Sequence, residues 1–289
     1  MAVGDLLNHS EVEKIITLAL QEDHVENDHT TNACLLENKQ AFAEIIAKKD
    51  TIACGAPLAK KIIDLAVRDF QFQPIELRFH ADDGTTLHNG QKWIELHGRA
   101  QDILRIERTL LNFLMRMCGI AKTTNNVVNL IRHTDCKLLH TRKTIPGHRR
   151  TDVYATLVGG AHAHRLHLAD AILVKENHLR SASSFQSLFD EVQKRRSENK
   201  FIEIEVTDLQ ELKHALMASP DRVLLDNFSV ELTQKATTLF GGRVEMESSG
   251  GITLENAAQY AETGVEYMSM GWITHSIVAA DLSLLFKVL

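Results

Sequence analysis

Proline is scarce, with four residues in 289, and no proline-, glycine- or serine-rich run marks a linker. The chain is long enough for one large domain or two ordinary ones. Cysteine is equally scarce. Cys34, Cys54, Cys118 and Cys136 form no CxxC pair, which argues against a disulfide frame or a thiolate zinc site and fits a reducing compartment. No apolar run approaches the length of a membrane span. The opening MAVGDLLNHSEVEK lacks the cationic start and apolar core of a signal peptide, so a cytoplasmic protein is expected. Positive charge is not in excess either. A formal charge of −6 speaks against nucleic acid or an anionic membrane as partner.

Against this acidic background one stretch is cationic. His140 to His178 reads HTRKTIPGHRRTDVYATLVGGAHAHRLHLADAILVKENH, with Arg142, Lys143, Arg149, Arg150, Arg165 and Lys175 among several histidines. Charge runs are usually solvated faces. What separates this one is its placement relative to strands.

The first hundred residues mix helices with strands. Ser10-Glu11-Val12-Glu13 is a capping-box pattern ahead of Val12, Ile15, Ile16, Ala19 and Leu20 at helical spacing. Glu22 to Leu36 is polar and turn-rich. A strand over 41–48, a helix over 58–70 opened by Pro57, and strands over 75–80 and 93–99 follow, with turns at Asp83-Gly84 and Asn89-Gly90. This is an α+β pattern. From Ile103 a long helix buries a seam of Ile106, Leu110, Phe113, Met117 and Ile120, while Arg105, Arg108, Asn112 and Arg116 occupy another face that reads as a solvated stripe.

The pattern then changes. KLLHT (137–141), AILVK (171–175), FIEIEV (201–206), RVLLD (222–226), VEMESS (244–249) and YMSMG (267–271) read as short strands. Helices are expected over 183–196, 208–218, 229–240 and 254–262. Strand–helix alternation at roughly 20 to 35 residues marks parallel β/α units closing toward a barrel, here with six strands.

Working residues of such folds sit at the carboxyl ends of strands. Here Arg142 and Lys143 follow the first strand and Lys175 ends the second. Glu203 and Glu205 share one face of the third, Asp226 ends the fourth, Ser248-Ser249-Gly250-Gly251 follows the fifth, and Gly271 ends the sixth. A polar residue at all six ends is hard to explain structurally. Ser249-Gly250-Gly251 before a helix near Thr253 makes an anion seat of bare backbone N–H groups. Glu205 and Asp226 can accept hydrogen bonds from sugar hydroxyls, hold Mg²⁺, or stabilise a cationic transition state. Arg142, Arg165 and Lys175 suit a substrate with more than one carboxylate. The rim is thus built for a phosphorylated sugar, Mg²⁺ and an acidic second substrate, which points to glycosyl transfer. His162 and His164 form an HxH pair, but it precedes a strand and no set of further histidines ends the later strands. A zinc hydrolase is therefore the weaker reading, and a non-catalytic sugar-phosphate regulator is a third.

Across QEDHVENDHTT, ERTLLNFLMRMCGIAKTT, HTRKTIPG, GG…HR, ILVKENH, IEIEV, VLLDN, ESSGGITLEN and SMGWITHS the chain resembles the quinolinate phosphoribosyltransferase family over nearly its whole length. The resemblance implies an α/β fold: an N-terminal α/β sandwich over 1–102, a six-stranded incomplete α/β barrel over 103–274, and a C-terminal helix over 275–289 packed back on the sandwich. It implies transfer of phosphoribose from phosphoribosyl pyrophosphate to quinolinate with decarboxylation, in NAD synthesis, with Mg²⁺ at Glu205 and Asp226. It assigns Arg142, His164, Arg165 and Lys175 to the acid pocket, and Arg108 to a residue lent by the other subunit of a homodimer or higher oligomer. Lys143, Glu205, Asp226, Ser249, Gly250, Gly251, Gly271 and His275 fall around the phosphoribosyl pyrophosphate. Lys143, Lys175, Glu205 and Asp226 carry the catalysis. Departures are Gly159-Gly160-Ala161-His162-Ala163-His164-Arg165 for the usual GGGxNHR, His148 within PGxR, and His167 after the HR pair. These bear on the choice of acid, and a related transferase for another pyridine acid is the alternative.

Overall fold

The computed structural model describes residues 3–34, 39–181, 184–196 and 200–289. In chain order these form α1 (Ser10–Glu22), α2 (His29–Ala33), β1 (Gln40–Ala47), β2 (Thr51–Ile52), α3 (Ala56–Asp69), β3 (Glu76–Phe79), β4 (Thr86–Leu87), β5 (Lys92–Arg99) and the long α4 (Ala100–Ile131). Then come β6 (Lys137–Leu139), α5 (Arg149–Val158), β7 (Ile172–Val174), α6 (Glu176–Ser181), α7 (Phe185–Arg196), β8 (Ile202–Val206) and α8 (Leu209–Ala215). The chain finishes with β9 (Arg222–Asp226), α9 (Val230–Phe240), β10 (Glu245–Ser249), α10 (Ala257–Glu262), β11 (Tyr267–Ser269), α11 (Trp272–His275) and β12 (Leu282–Val288). None of the described helices is long and apolar enough to cross a membrane.

Two compact units share the chain. The first comprises Met1–Thr124, Thr144–Gly160 and Ile273–Leu289; the second comprises Asn125–Lys143 and Ala161–Trp272. The division falls inside α4, whereas the sequence suggested a boundary at residue 102.

The first unit is built on an antiparallel sheet of order β12-β1-β5-β3. Its last strand corrects the expectation of a C-terminal helix over 275–289. Leu282 to Val288 pair with Ala47 to Ala41 instead. The sequence LSLLFKV is rich in branched and aromatic side chains, and it completes an otherwise open sheet edge. Along β1, Ala41, Ala43, Ile45 and Ala47 are buried in alternation, as one half-buried face requires. Trp93 and Leu96 on β5 and Leu58 and Ile62 on α3 are fully buried in the same core.

The start of α1 differs in detail from the sequence reading. His9, not Ser10, is the N-cap, its Nδ1 accepting from the Glu11 N–H at 3.3 Å. Asp28 caps α2 within the segment read as turn, its carboxylate accepting from the Thr31 N–H at 3.0 Å. On α4 the seam of Ile106, Leu110, Phe113, Met117 and Ile120 is buried as expected. The opposite stripe is not all solvated. Arg116 holds the buried Asp152 of α5 in a two-pronged pair at 2.8 and 2.7 Å and donates to the Thr274 carbonyl at 3.0 Å. Arg108 is exposed.

The second unit is a six-stranded parallel sheet of order β6-β11-β10-β9-β8-β7. All six strands read from the sequence are present, with β6 and β7 as its edges. The expected helices are found as α7, α8, α9 and α10, except that Ser183 lies outside the described residues. Parallel register sets Glu205 level with Leu224, and Leu224 level with Glu247. Since alternate residues share a face, Glu203, Glu205, Arg222, Asp226, Glu247, Ser249 and Ser269 project from one side.

Gly119 of α4 yields a sharp test of packing. A Cβ there would lie 2.4 Å from the Val278 carbonyl oxygen and 3.0 Å from Ala279 Cα, where the Ala280 N–H reaches the Met115 carbonyl at 2.8 Å. Helix propensity alone would make Gly119→Ala stabilising by about 1 kcal/mol. The close approach reverses the sign, and a loss of roughly 1–3 kcal/mol in denaturant unfolding is expected.

Candidate active site

The site forms at the carboxyl ends of the parallel strands in the second unit. The residues after β6, the His164–Arg165 segment and the end of β7 bring Arg142, Arg165 and Lys175 to the wall of one cleft of about 550 Å³. Leu168, Leu173 and Val192 supply apolar surface to the same cleft. Arg142 Nε is buried with no hydrogen-bond partner among the described residues. Among the described residues Arg165 donates to the Ala171 carbonyl, at a long 3.4 Å. Burial, and then the neighbouring charge of Arg142, push the Arg165 guanidinium below its ordinary value. Two guanidiniums that repel each other around a cleft with an apolar wall form a receptor for a compact anion.

Carboxylates sit beside these cations. Lys175 Nζ lies 2.5 Å from Glu205 Oε2. Asp226, at the end of β9, is pushed above the usual aspartate range by burial and by the charge of Glu205, while Asn227, Lys175 and Lys143 pull it back. A partly buried carboxylate held above its ordinary range beside a second carboxylate is short of positive charge. Oxygen ligands of this kind suit a hard divalent cation such as Mg²⁺.

Next to Asp226 the backbone takes an unusual path. Asn227 adopts φ 56°, and Gly250 and Gly251 adopt φ 86° and 64°. A Cβ on Gly250 would lie 2.3 Å from Asn227 Oδ1, so no other residue fits without moving that loop. The Asn227 N–H donates to the Ser249 carbonyl at 2.8 Å, and the Ser249 and Ser269 hydroxyls lie 3.1 Å apart. The expected helix near Thr253 begins only at Ala257 and is six residues long. The Asn256 side chain accepts from the Thr253 N–H and donates to the Gly251 carbonyl, holding the intervening residues as turns. Any anion seat here is therefore a loop of glycine backbone, not a helix terminus. Gly271 follows β11 and is half-buried.

One layer inward lies a cluster that sequence reasoning only half found. His164 Nε2 is 2.9 Å from Glu203 Oε2 and 3.5 Å from Glu247 Oε2. Among the described residues these three form the group whose ligand atoms approach closely enough, within 4.8 Å, to hold a metal ion. The positive charge is already supplied, however, because Arg222 Nη1 lies 3.3 Å from Glu247 Oε2 and 4.0 Å from Glu203 Oε1. His162, the other half of the HxH pair, is exposed and outside the group. Glu247 and Arg222 escaped the sequence reading. The signal was available, since both occupy the inward face of strands in the i, i+2 pattern that singled out Glu203 and Glu205.

Arg142, Lys143, His164, Arg165, Lys175, Glu205, Asp226, Ser249, Gly250, Gly251 and Gly271 all belong to the second unit, and of these Arg142, Arg165 and Lys175 line the cleft. Arg108, on α4, and His275, at the end of α11, belong to the first unit, and both are exposed.

Comparison with known proteins agrees over both units. Residues 28–118 match the N-terminal domain of quinolinate phosphoribosyl transferase and residues 120–285 match its C-terminal domain. A probable nicotinate-nucleotide pyrophosphorylase (carboxylating) of Bacillus subtilis is 34% identical over 96% of this chain and 94% of its own. The nicotinate-nucleotide pyrophosphorylase (carboxylating) of Mycobacterium leprae is 36% identical over 93% and 95%. The solved nicotinate-nucleotide pyrophosphorylase of Francisella tularensis superposes with a TM-score of 0.88 at 37% identity, covering 96% of each chain. With both domain models matched in order and relatives similar from end to end, the chain belongs to the quinolinate phosphoribosyl transferase family.

Proposed function

We propose that this protein transfers phosphoribose from phosphoribosyl pyrophosphate to quinolinate in NAD biosynthesis, releasing pyrophosphate and CO₂ and leaving nicotinate mononucleotide. The observation that carries the reading is the juxtaposition of a three-cation cleft with the Glu205–Asp226 pair at one end of a parallel sheet. A compact dianion fits the first, and a developing positive charge fits the second.

In this mechanism Arg142, Arg165 and Lys175 pair with the two carboxylates of quinolinate and aim its ring nitrogen at the anomeric carbon of the ribose. Fixing two reactants in this way can supply several kcal/mol of the barrier, up to roughly 7–11. As the bond from the anomeric carbon to pyrophosphate breaks, cationic character grows on the ribose, and Glu205 and Asp226 stabilise it. The nitrogen bonds to the vacated carbon. Lys143, exposed beside the cleft, balances charge on the departing pyrophosphate. The quaternary ring nitrogen then accepts the electron pair left when the neighbouring carboxylate departs as CO₂, and a proton from water takes its place on the ring. No protein nucleophile is needed.

Mg²⁺ fits the oxygen donors of Glu205 and Asp226, where it would offset charge on the pyrophosphate. The backbone of Ser249, Gly250 and Gly251, with Gly271 and His275, serves the phosphate end. Arg108 is supplied to the acid pocket of a second copy of the chain, which makes the working unit a homodimer. Its exposure on α4 is compatible with that role. A cytoplasmic setting suits four cysteines that are all free.

Incubation with quinolinate, phosphoribosyl pyrophosphate and Mg²⁺ should yield nicotinate mononucleotide and stoichiometric CO₂. Turnover of nicotinate in place of quinolinate would overturn the choice of acid, which the altered segment 159–165 makes worth checking. Lys175→Ala should lower kcat/KM by at least about a hundredfold, as expected when a charge-assisted contact is removed from a buried anion. The thermal midpoint should stay within a few degrees, because Lys175 is half exposed; near-normal turnover would remove it from the mechanism. Mixing inactive Arg108→Ala subunits with inactive Arg142→Ala subunits should restore activity through one intact site per heterodimer. Heterodimers demonstrated by mass but devoid of activity would argue against a shared site.

A further inference from the structure

We propose that Glu203, Arg222 and Glu247 are positioning residues for the acid half of the site, holding His164 as a two-sided hydrogen-bond donor. The inference rests on the reading above, in which His164 meets quinolinate, and it assigns a role to three side chains that contact no substrate.

The geometry is that of a buried ion network, in which Glu203 Oε1 and Arg222 Nε have no hydrogen-bond partner among the described residues. Glu203 and Glu247 are each 1% exposed, and His164 Nε2 faces both. Arg222 comes from the strand between them. Its Nη1 lies 3.3 Å from Glu247 Oε2, and its Nη2 lies 3.4 Å from Glu245 Oε2. The guanidinium carbon stands 3.8 Å over the Tyr267 ring and 5.1 Å from the Phe201 ring centre, which limits its movement. Strand pairing sets Glu203, Arg222 and Glu245 level across three strands, so the order acid–base–acid is fixed by register.

Charge counting gives the consequence. Buried carboxylates are costly unless positive charge meets them. Burial raises Glu203 against the pull of His164; burial would also raise Glu247, but the His164 hydrogen bond and charge outweigh it and hold Glu247 down. Arg222 brings a guanidinium charge to both. Of the other bases nearby, Arg165 feels the charge of Glu203 but makes its hydrogen bond to the Ala171 carbonyl, and His140, whose ring centre lies 6.4 Å from that of His164, is held down to about 4 by burial and then by the charge of His164, so it is neutral. Ser269, from β11, hydrogen-bonds Glu247 but brings no charge. His164, like Arg222, reaches both carboxylates, and its charge depends on them. Burial alone would push this imidazole down, but its hydrogen bonds to Glu203 and Glu247 and their charges outweigh that and hold it at about 9.

The protonation state decides what a ligand meets. A neutral imidazole that donates from Nε2 to the carboxylates presents a bare Nδ1 lone pair, which repels a carboxylate ligand. The imidazolium presents Nδ1–H instead, a charged donor. The buried glutamates thus turn the far side of the ring into an anion-binding group. The sign for pH follows. A raised value keeps His164 protonated through neutrality, so its contribution to acid binding is complete below pH 8 and is lost as pH rises through about 9.

The test uses the full chain labelled at histidine for NMR, with the His164 signals assigned by their loss in His164→Gln. The wild-type ring should titrate well above the ordinary histidine range. In Glu247→Gln, and in Glu203→Gln as a second variant, the midpoint should fall by at least about one pH unit. Calorimetric affinity for quinolinate should be flat from pH 6 to 8 in the wild type. In Glu247→Gln it should weaken at least about twofold at pH 8, and about tenfold if the midpoint falls by two units, and recover toward pH 6, with the KM for phosphoribosyl pyrophosphate unchanged. Arg222→Lys should retain more acid affinity than Arg222→Met. A wild-type ring that titrates at or below 6.5, or a midpoint and pH profile indifferent to both glutamate variants, would overturn the proposal. The wild-type titration needs no ligand and, beyond the His164→Gln variant used for assignment, no change in the glutamates or Arg222. It upholds or overturns the charged network even if quinolinate fails to bind, an outcome that counts against the functional reading alone.

Discussion

Charge balance on the inward face of the six-stranded sheet is the constraint around which the second unit is arranged. Glu203, Glu205, Asp226 and Glu247 project where a parallel sheet normally carries apolar side chains. Burying carboxylates is costly unless each meets a cation or a hydrogen bond. The deeper pair is neutralised from within by Arg222 and His164. The shallower pair is neutralised only in part, by Lys175 and by Lys143. That difference separates scaffold from site. On the proposed function, the protein supplies counter-charges to the deeper pair, and substrates complete the balance at the shallower one.

Much of this was legible in the sequence because short parallel strands advertise themselves. Six runs of branched and apolar residues, each ending in a polar residue or glycine, gave both the strand count and the rim. Those signals are local, arising from strand propensity and from the rule that active residues sit at strand ends. The errors were also physical. A helix was expected over 275–289, yet LSLLFKV within it pairs as a strand with β1, which lies almost the whole chain away. Thr253 was read as a helix start, but the Asn256 side chain holds the preceding residues in turns. Arg116 was read as solvated because its partner, Asp152, lies on a different helix. Pairings that depend on the tertiary fold leave no periodic trace. Arg222 and Glu247 fall between these cases, since their face could be read from alternation but their mutual contact could not.

The first unit shows the same dependence on distant partners at the scale of the fold. Its residues come from three separate segments, and β1 is sandwiched between β5 and β12. The residues of the second unit are threaded between those segments. A sheet that pairs Ala41 with Val288 pays a large loop-closure entropy before that contact forms, which predisposes the chain to slow, non-local assembly.

The contact between Lys175 and Glu205 ties the two halves of the site together energetically. The ammonium and the carboxylate satisfy each other. On the proposed reading, one substrate recruits the lysine and the other recruits the glutamate, so whichever arrives first must part the pair. The second arrival then finds its partner already released. Such an arrangement is a thermodynamic linkage, in which each substrate tightens the other by the same factor and neither is held at full strength alone.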